Sequence, residues 1–481
     1  MSQSRLASCI PLPIDNKLLI SVVEKAKDWA LMHGVGMRDK KHFSKDSIQI
    51  APFVLLPSPF PRTEFTKAIE LQPVLNELMH KVAHNDEFLE KTLQNALQVD
   101  DFTAKLYDVW LKVREEGITQ SLSLGLFRSD YLMQQPDSNR IKQVEFNTVA
   151  ASFGAITSNL PTMYRYVMRQ LGHGELIKNM PENRALSGLC SGIIEAYDLF
   201  AVPSAVVIFV VEEVSYNICD QRFHEFEISE KRPDIMIYRK TLGEIYEETE
   251  LNDKKQLILD GQPVAVVYYR SGYEPDQYPS TKEWDARLRV ERSSAIKCPS
   301  IHYQLAGTKK VQQALAAPGV LETFMSEGAV TSRVRDIFTG LYSLDFDEGG
   351  ERAVEMALAD AEKFVLKPQR EGGGNNLYGA DVREALLRMR HSRERAAYIL
   401  MERILPPLVS GYVVRPGAAV PPPLSDLVSE LGIFGVIIGN KDKIYCNRQV
   451  GHMLRTKLAD ANEGGVAAGL GALDSPYLLD L

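Results

Sequence analysis

The segment KPQREGGGNNLY (residues 367–378) is the most unusual stretch of the sequence. Its three consecutive glycines and two asparagines permit positive φ at several successive positions. Such a loop can bring backbone N–H groups close to phosphate oxygens and form an anion-binding nest. Lys367 ends an apolar run, FVLK (364–367), which favours a strand that would hold its ammonium group, and Glu371 lies beside the glycines. The alternative is an ordinary surface hairpin with incidental charges.

A second polar pattern, QVEFN (143–147), precedes this loop in the chain. If the segment is a strand, Glu145 and Asn147 point to one face, roughly 7 Å apart, while Val144 and Phe146 face the core. A carboxylate and a side-chain carbonyl at that spacing suit Mg²⁺, which prefers hard oxygen ligands. A solvated polar face is the alternative for this segment.

Basic residues form a third group, and they are scattered along the chain. Arg128 lies in GLFRSDY (125–131), Lys309 and Lys310 are adjacent, and Arg455 and Lys457 are two residues apart. Each is typical of a surface charge when taken alone. Spacing does not reveal whether the fold brings them to one place.

Composition limits the classes of partner. The chain has 481 residues with 63 acidic and 55 basic side chains, a formal net charge of −8. This charge repels phosphate backbones, so we expect no nucleic acid as the main partner. A pocket can still be basic while the whole chain is acidic.

Cellular location is expected to be cytoplasmic. The longest apolar run, residues 205–211, is far shorter than the ~20 residues of a spanning helix, so no membrane association is expected. No apolar leader with a cleavage site is recognisable at the N-terminus. The five cysteines form no CxxC pair, which argues against disulfides and structural zinc.

The order of elements predicts a mixed α/β fold. Helical spacing follows Asp15 up to Gly34 and recurs at 103–117. The apolar runs 205–211 and 264–269 favour parallel strands, with ligands near their carboxyl ends at Glu212 and at 270–273. Strands are also predicted at 364–367, 398–401 and 431–438. The sequence lacks the GxxxxGK[ST], GxGxxG, HExxH and GxSxG motifs. Phosphate-loop, dinucleotide-fingerprint, zincin and α/β-hydrolase readings therefore lose their main support.

Ten ordered segments between about residues 51 and 477 resemble the eukaryotic glutathione synthetases, a family of ATP-grasp ligases. They are GLFRSDY (125–131), VEFNT (144–148), YNICDQR (216–222), YYRSGY (268–273), QLAGTKKVQQ (304–313), FVLKPQREGGGNNLYG (364–379), YILMERI (398–404), SELGIFGV (429–436), VGHMLRTK (450–457) and EGGVAAG (463–469). The resemblance implies an ATP-grasp fold with an inserted parallel-sheet substrate domain and a Gly-rich-loop lid. We expect a mainly helical body with part of the metal site at 1–203 and the substrate domain at 204–305. The ATP-grasp region would be 306–481, with its lid at about 345–425 and an Ala-rich loop near the C-terminus.

The family's roles carry over to matching positions as implications of the resemblance. The residues that would ligate two Mg²⁺ ions are Glu145, Asn147 and Glu371. Those that would hold the ATP phosphates are Lys309, Lys367, Gly372, Gly373, Gly374, Asn375 and Asn376. Those that would complete the nucleotide site are Tyr378, Met401, Glu402, Arg403, Ile404, Glu430, Lys457 and Glu463. Those that would contact the peptide substrate or product are Arg128, Ser152, Asn217, Gln221, Arg270, Ser271, Gly272, Tyr273, Arg455, Val466 and Ala467. Among all of these, the catalytic set would be Arg128, Lys367, Glu371 and Arg455.

The activity implied is ATP-dependent ligation of γ-glutamylcysteine to glycine through an acyl phosphate, by a homodimer. Two departures affect substrate contacts, because Ala150 replaces a serine common in the family and Ser215 stands where some members carry an acid. A sister ligase using β-alanine is one alternative, which the small residues 466–468 oppose. A non-catalytic nucleotide-binding protein is another, which the complete oxygen-ligand set at 145, 147 and 371 opposes.

Overall fold

The computed structural model describes residues 4–135, 140–369, 374–462, 464–466 and 470–480. The α-helices within them are α1 (Asn16–Met32), α2 (Arg62–Ala83), α3 (Asp86–Leu93), α4 (Asp101–Glu116), α5 (Gly154–Gln170), α6 (Ala185–Phe200), α7 (Ile218–Lys231), α8 (Leu242–Glu248), α9 (Thr281–Arg292), α10 (Ile301–Ala306), α11 (Lys309–Leu315), α12 (Ala329–Ile337), α13 (Glu348–Ala359) and α14 (Ala380–Met389). The strands are β1 (Gly36–Met37), β2 (Gln49–Ile50), β3 (Phe53–Val54), β4 (Ser58–Pro61), β5 (Ser123–Gln134), β6 (Arg140–Asn147), β7 (Val206–Val210), β8 (Met236–Lys240), β9 (Thr249–Leu251), β10 (Leu257–Leu259), β11 (Gln262–Tyr269), β12 (Ile296–Cys298), β13 (Leu341–Ser343), β14 (Phe364–Pro368), β15 (Leu377–Tyr378), β16 (Tyr398–Glu402), β17 (Val409–Val414), β18 (Leu424–Gly439), β19 (Ile444–Leu458), β20 (Gly471–Asp474) and β21 (Pro476–Leu479).

Both helices predicted near the N-terminus form. The carboxylate of Asp15 accepts hydrogen bonds from the first backbone N–H groups of α1, at 3.0 and 3.1 Å, which caps the helix. Helix α4 ends before Gly117, whose φ of 91° no other residue type adopts at low cost. Helix α4 buries the apolar stripe that its spacing predicts, whereas α1 buries Leu19, Val22, Val23 and Ala26 but leaves Leu18 of the predicted stripe exposed.

A large sheet organises the molecule around an antiparallel centre. Strand β18 pairs with β19 on one side and with β5 on the other, and β6 pairs with β5. The register sets Arg128 opposite Asn147, Asp130 opposite Glu145, and Glu430 opposite Arg455. Charged residues that are far apart in the chain therefore become cross-strand neighbours.

The middle of the chain supplies parallel strands to the same sheet. Strand β7 pairs in parallel with β11 and β8, and β12 pairs in parallel with β11 and β5. Every residue of β7 is buried, which explains why its sequence is apolar without alternation. The predicted parallel arrangement of the runs at 205–211 and 264–269 is confirmed.

A smaller antiparallel sheet, in the order β13-β16-β14-β15, lies in the last third of the chain. Helices α13 and α14 pack on it through a core that includes Val354, Leu366, Leu386 and Leu400. The sheet carries Lys367 near the end of β14, as the sequence predicts. Mixed α/β architecture is therefore confirmed. No helix in the described part of the chain is long and apolar enough to cross a membrane.

Asp474 gives the fold a pH dependence that can be measured. Its buried carboxylate accepts hydrogen bonds from Ser58 Oγ at 2.5 Å and Thr456 Oγ1 at 2.6 Å. Burial outweighs these bonds and raises the pKa of Asp474 from 3.8 to about 7. Between these pKa values the folded chain holds a proton that the unfolded chain has released, so the free energy of unfolding falls as pH rises.

The variant Asp474→Asn lacks this titration. Its free energy of unfolding, measured by urea titration, should therefore increase relative to that of the wild type as pH rises from about 4 to about 7. A difference between the two proteins that stays constant over this range would contradict the prediction.

Candidate active site

A cavity of about 350 Å³ lies between the large sheet and the small sheet. Predicted site residues that line it are Arg128, Glu145, Asn147, Ser152, Tyr273, Lys309, Lys367, Asn375, Asn376, Tyr378, Met401, Glu402, Arg403, Ile404, Glu430, Arg455, Lys457 and Val466. They come from both sheets, from α11 and from the connecting segments. The fold thus brings the acidic and the basic patterns of the sequence to one place.

Glu145 lines this cavity together with the cationic residues Lys309, Lys367 and Arg455. Lys309 Nζ donates a hydrogen bond to Glu145 Oε2 at 2.9 Å. Although burial opposes ionisation, the ammonium groups of Lys309 and Lys367 hold the pKa of the Glu145 carboxyl well below its usual range. Glu145 is therefore ionised at neutral pH.

Val144 lies where the apolar core meets the cavity. The sequence predicts that it faces the core together with Phe146, and it is partly buried against the apolar cluster of Leu341, Ile399, Met401 and Ile404, but it also lines the cavity. The pairing of β5 and β6 shifts between Asp130 and Tyr131, whose partners are Glu145 and Gln143, so Val144 is the extra residue of a β-bulge. Phe146 does lie in the core. Lys367 Nζ donates to the carbonyl oxygen of Val144 at 2.9 Å, so the bulge also contacts a lysine that is predicted to bind the ATP phosphates.

Two arginines on β5 and β19, the strands on either side of β18, face an acidic pair. Arg128 makes a bidentate bond to Asp130, from Nε at 2.6 Å and Nη2 at 2.7 Å. Arg455 hydrogen-bonds to Glu430, with Nε at 3.1 Å, and its Nη2 lies 3.4 Å from Asp130 Oδ2. Sequence reasoning did not select Asp130. The available signal is its position two residues after Arg128 in a strand, which places both side chains on one face.

The residues predicted to bind the peptide fall into two groups. Arg128, Ser152, Tyr273, Arg455 and Val466 line the cavity, whereas Asn217, Gln221, Arg270, Ser271 and Gly272 do not. Arg270 connects the groups, because its Nη2 donates to Ser152 Oγ at 3.0 Å and to Asp220 at 2.9 Å.

Further from the cavity, Arg239 donates to Gln221 Oε1 at 2.7 Å. The buried Oδ1 of Asn217 has no hydrogen-bond partner among the described residues. The roles of both groups stay predictions.

The predicted nucleotide side consists of β16 and the segment after it. Residues 401–406 line the cavity together with Val428 and Lys457. Gly374 has φ 82°, in the left-handed region that the glycine run predicts, and it does not line the cavity. Glu371, Gly372, Gly373, Glu463 and Ala467 lie outside the described residues.

The oxygen donors at the cavity fit a hard divalent cation. Glu145 is ionised, and Asn147 Nδ2 donates to Asp130 Oδ2 at 3.0 Å. This bond turns the amide nitrogen toward Asp130 and leaves the carbonyl oxygen of Asn147 for a ligand. Carboxylate and amide oxygens are the ligands that Mg²⁺ prefers.

Two facing sheets around a cavity with cationic, anionic and amide groups agree with an ATP-grasp-type fold, the class of protein that the sequence resembles. A family model described as eukaryotic glutathione synthase, ATP binding domain, matches residues 16–478. The chain belongs to this family, the eukaryotic glutathione synthases.

Relatives and a solved structure agree with this assignment. The glutathione synthetases of Xenopus laevis and Homo sapiens are 43% and 44% identical to this chain over 97% and 96% of its length, and 98% of each relative is covered. The chloroplastic glutathione synthetase of Arabidopsis thaliana is 39% identical over 97% of this chain and 86% of its own. A glutathione synthetase-like effector from Globodera pallida, solved in its apo form, has a TM-score of 0.79 and 25% identity over 98% of this chain and 100% of its own.

Proposed function

We propose that the protein joins γ-glutamylcysteine to glycine at the expense of ATP, producing glutathione, ADP and phosphate. The observation that carries this proposal is the cavity in which Glu145, Lys309, Lys367, Arg128 and Arg455 converge, in a chain of this family. ATP is the nucleotide substrate and the enzyme is a ligase.

The chemistry explains the residue types. A carboxylate oxygen of the cysteinyl residue attacks the γ-phosphorus of ATP, the bond to ADP breaks, and an acyl phosphate forms. The amine of glycine then attacks the acyl carbon, loses a proton, and expels inorganic phosphate. Neither step needs a side-chain nucleophile, so the protein contributes positioning and electrostatic stabilisation.

Each group at the cavity has a role in this scheme. The ammonium groups of Lys309 and Lys367 offset the charge on the transferred phosphoryl group. The guanidinium groups of Arg128 and Arg455 carry permanent positive charge at the cavity, which suits the carboxylates of the dipeptide; the Nε–Nη2 edge of Arg128 is held by Asp130, so its Nη1 end is the one that would meet the substrate. An acyl phosphate is hydrolysed when it is wet, so closing the cavity against water favours ligation.

Magnesium binding is part of the proposal. Glu145 and Asn147 would hold the ions together with Glu371, and we propose two per site, as in other phosphoryl-transfer enzymes. When bound, Mg²⁺ neutralises phosphate charge. We also propose a homodimer in the cytosol, although the Arabidopsis relative is described as chloroplastic.

The direct test is ADP release in the presence of γ-glutamylcysteine and glycine, with mass detection of the product. We expect a tripeptide of the mass of glutathione in amounts equal to ADP. ATP turnover without the tripeptide would contradict the proposal. Replacing glycine by β-alanine tests the sister activity, and glycine is expected to be the better acceptor.

Arg128→Ala should chiefly weaken γ-glutamylcysteine binding. A hydrogen bond to a charged group contributes about 1.5–3 kcal/mol, so its KM should rise about 10–100-fold. The KM of ATP should change little. Arg448→Ala is the matched control, because Arg448 pairs with Glu195 outside the cavity. Wild-type saturation by γ-glutamylcysteine in Arg128→Ala would remove Arg128 from the substrate site.

A further inference from the structure

Asp130 is a buried carboxylate beneath the cavity, with only 1% of its surface exposed, and it does not line the cavity. Its Oδ1 accepts a hydrogen bond from Arg128 Nε at 2.6 Å. Its Oδ2 accepts from Arg128 Nη2 at 2.7 Å and from Asn147 Nδ2 at 3.0 Å, and Arg455 Nη2 lies at 3.4 Å. Four donor groups therefore converge on its two oxygens.

The three partners of Asp130 share one property: Arg128, Asn147 and Arg455 all line the cavity. They come from three different strands, β5, β6 and β19. Asp130 is the residue that contacts all three, so it links the groups proposed for substrate binding with a group proposed for metal binding.

Only an ionised carboxylate accepts from all of these donors at once. A carboxylate has acceptor sites on both oxygens, whereas an amide in its place would present N–H groups to other N–H groups. The bidentate geometry with Arg128 requires an acceptor at each oxygen, so the group acts here as a carboxylate.

The orientation of Asn147 follows from the same argument. An asparagine side chain has one accepting end and one donating end, and only the donating end is attracted to a carboxylate. Because Asp130 holds Nδ2 at 3.0 Å, the carbonyl oxygen is left for a ligand at the cavity. Nδ2 also donates to the backbone carbonyl oxygen of Arg128, at the longer distance of 3.4 Å, so Asp130 supplies the shorter and charged contact that sets this orientation.

We propose that Asp130 is a positioning residue of the ligation reaction, which fixes the guanidinium groups of Arg128 and Arg455 for the anionic substrate and turns the carbonyl oxygen of Asn147 toward the metal. This rests on the function proposed above. Partners of metal ligands that are held in this way typically account for 10–100-fold in metal affinity or activity.

The first test is Asp130→Asn, which keeps the shape and removes the charge. An amide has one accepting end, so position 130 can no longer accept from Arg128 Nε as well as from the three donors at Oδ2, and the charge that holds Asn147 Nδ2 and both guanidinium groups in place is lost. Half-saturation by Mn²⁺, followed by electron paramagnetic resonance in the presence of ATP, should move to about 10–100-fold higher concentration. The KM of γ-glutamylcysteine should rise as well. Wild-type Mn²⁺ and γ-glutamylcysteine saturation in a folded variant would overturn the proposal.

A second arm restores the hydrogen bond from the other side. In the double variant Asp130→Asn with Asn147→Asp, the carboxylate introduced at position 147 accepts from the amide at position 130 with one oxygen and faces the metal with the other. In Asn147→Asp alone, two carboxylates face each other. We expect the double variant to bind Mn²⁺ more tightly than either single variant, and the reverse order would overturn the proposal. The comparison of Asn147→Asp with the double variant stands even if Asp130→Asn alone does not fold.

Glu291→Gln provides the matched control, because Glu291 is also a buried carboxylate paired with an arginine, Arg287, and neither residue lines the cavity. It should lose stability without a change in Mn²⁺ saturation. Equal increases in the Mn²⁺ concentration at half-saturation in Glu291→Gln and Asp130→Asn would overturn the proposal. Such a result would mean that loss of any buried ion pair weakens Mn²⁺ binding. The Mn²⁺ measurements need no product, so they report on Asp130 even if the wild-type protein makes no glutathione.

Discussion

Glu145→Gln is expected to lower kcat about 10²–10³-fold, the loss typical of removing one group that stabilises transition-state charge. Glutamine has the same shape as glutamate, so the strand β6 and its neighbours should fold unchanged. The carboxylate charge that pairs with Lys309 at 2.9 Å is lost, and with it a hard anionic ligand for Mg²⁺. Because Lys309 and Lys367 keep Glu145 ionised in the folded chain, the substitution removes a full charge at any pH where the enzyme works.

Measurements at several Mg²⁺ concentrations distinguish this role from a structural one. A lost metal ligand raises the Mg²⁺ concentration that gives half-maximal ADP release, whereas loss of fold lowers the active fraction at every concentration. Glu195→Gln is the control, because Glu195 also pairs with a cation, Arg448, but lies outside the cavity. Turnover of Glu145→Gln close to that of the control would remove Glu145 from the metal site.

Local patterns account for the parts of the fold that the sequence predicts. Helices α1 and α4 follow from apolar residues at helical spacing between a capping Asp15 or a terminating Gly117. Strand β6 follows from alternation in QVEFN, and Glu145 and Asn147 do reach the same cavity. These features depend on neighbouring residues in the chain, so one sequence is enough to predict them.

The remaining features depend on contacts between distant segments. The bulge at Val144 exists because β5 and β6 pair with a register shift, and nothing within 143–147 marks it. Asp130 becomes important only because β19 brings Arg455, and β6 brings Asn147, to the same carboxylate. Spacing along the chain contains neither piece of information.

The net charge of −8 illustrates the same limit. It sums side chains that are mostly on the exterior, and the cavity concentrates Arg128, Lys309, Lys367 and Arg455 against fewer acids. Burial strengthens the interactions of these charges with one another and with a polyanionic ligand. An acidic protein can therefore present a cationic site to ATP, and only the fold shows which cations belong to that site.

Lys309 and Lys310 provide the sharpest test of which cations belong to the ATP site, because they are adjacent in the sequence and equally buried, at 4% exposure each. Successive residues of a helix point in directions about 100° apart. At the start of α11, Lys309 contacts Glu145 and lines the cavity. Lys310 instead donates to Asp345 at 2.6 Å and to Ser343 at 2.8 Å.

Lys309→Met should therefore lower kcat/KM for ATP about 10²-fold or more, as expected when a cation that stabilises phosphoryl transfer is removed. Lys310→Met should leave the KM of ATP unchanged, although each variant strips one carboxylate of its ammonium partner. ATP saturation curves, normalised to folded protein by circular dichroism, make the comparison. Equal losses of kcat/KM in the two variants would mean that activity falls because a carboxylate has lost its ammonium partner, and not because a cation of the phosphate site is missing. A large loss confined to Lys309 is the expected result, because only its ammonium group faces the cavity where the phosphates would bind.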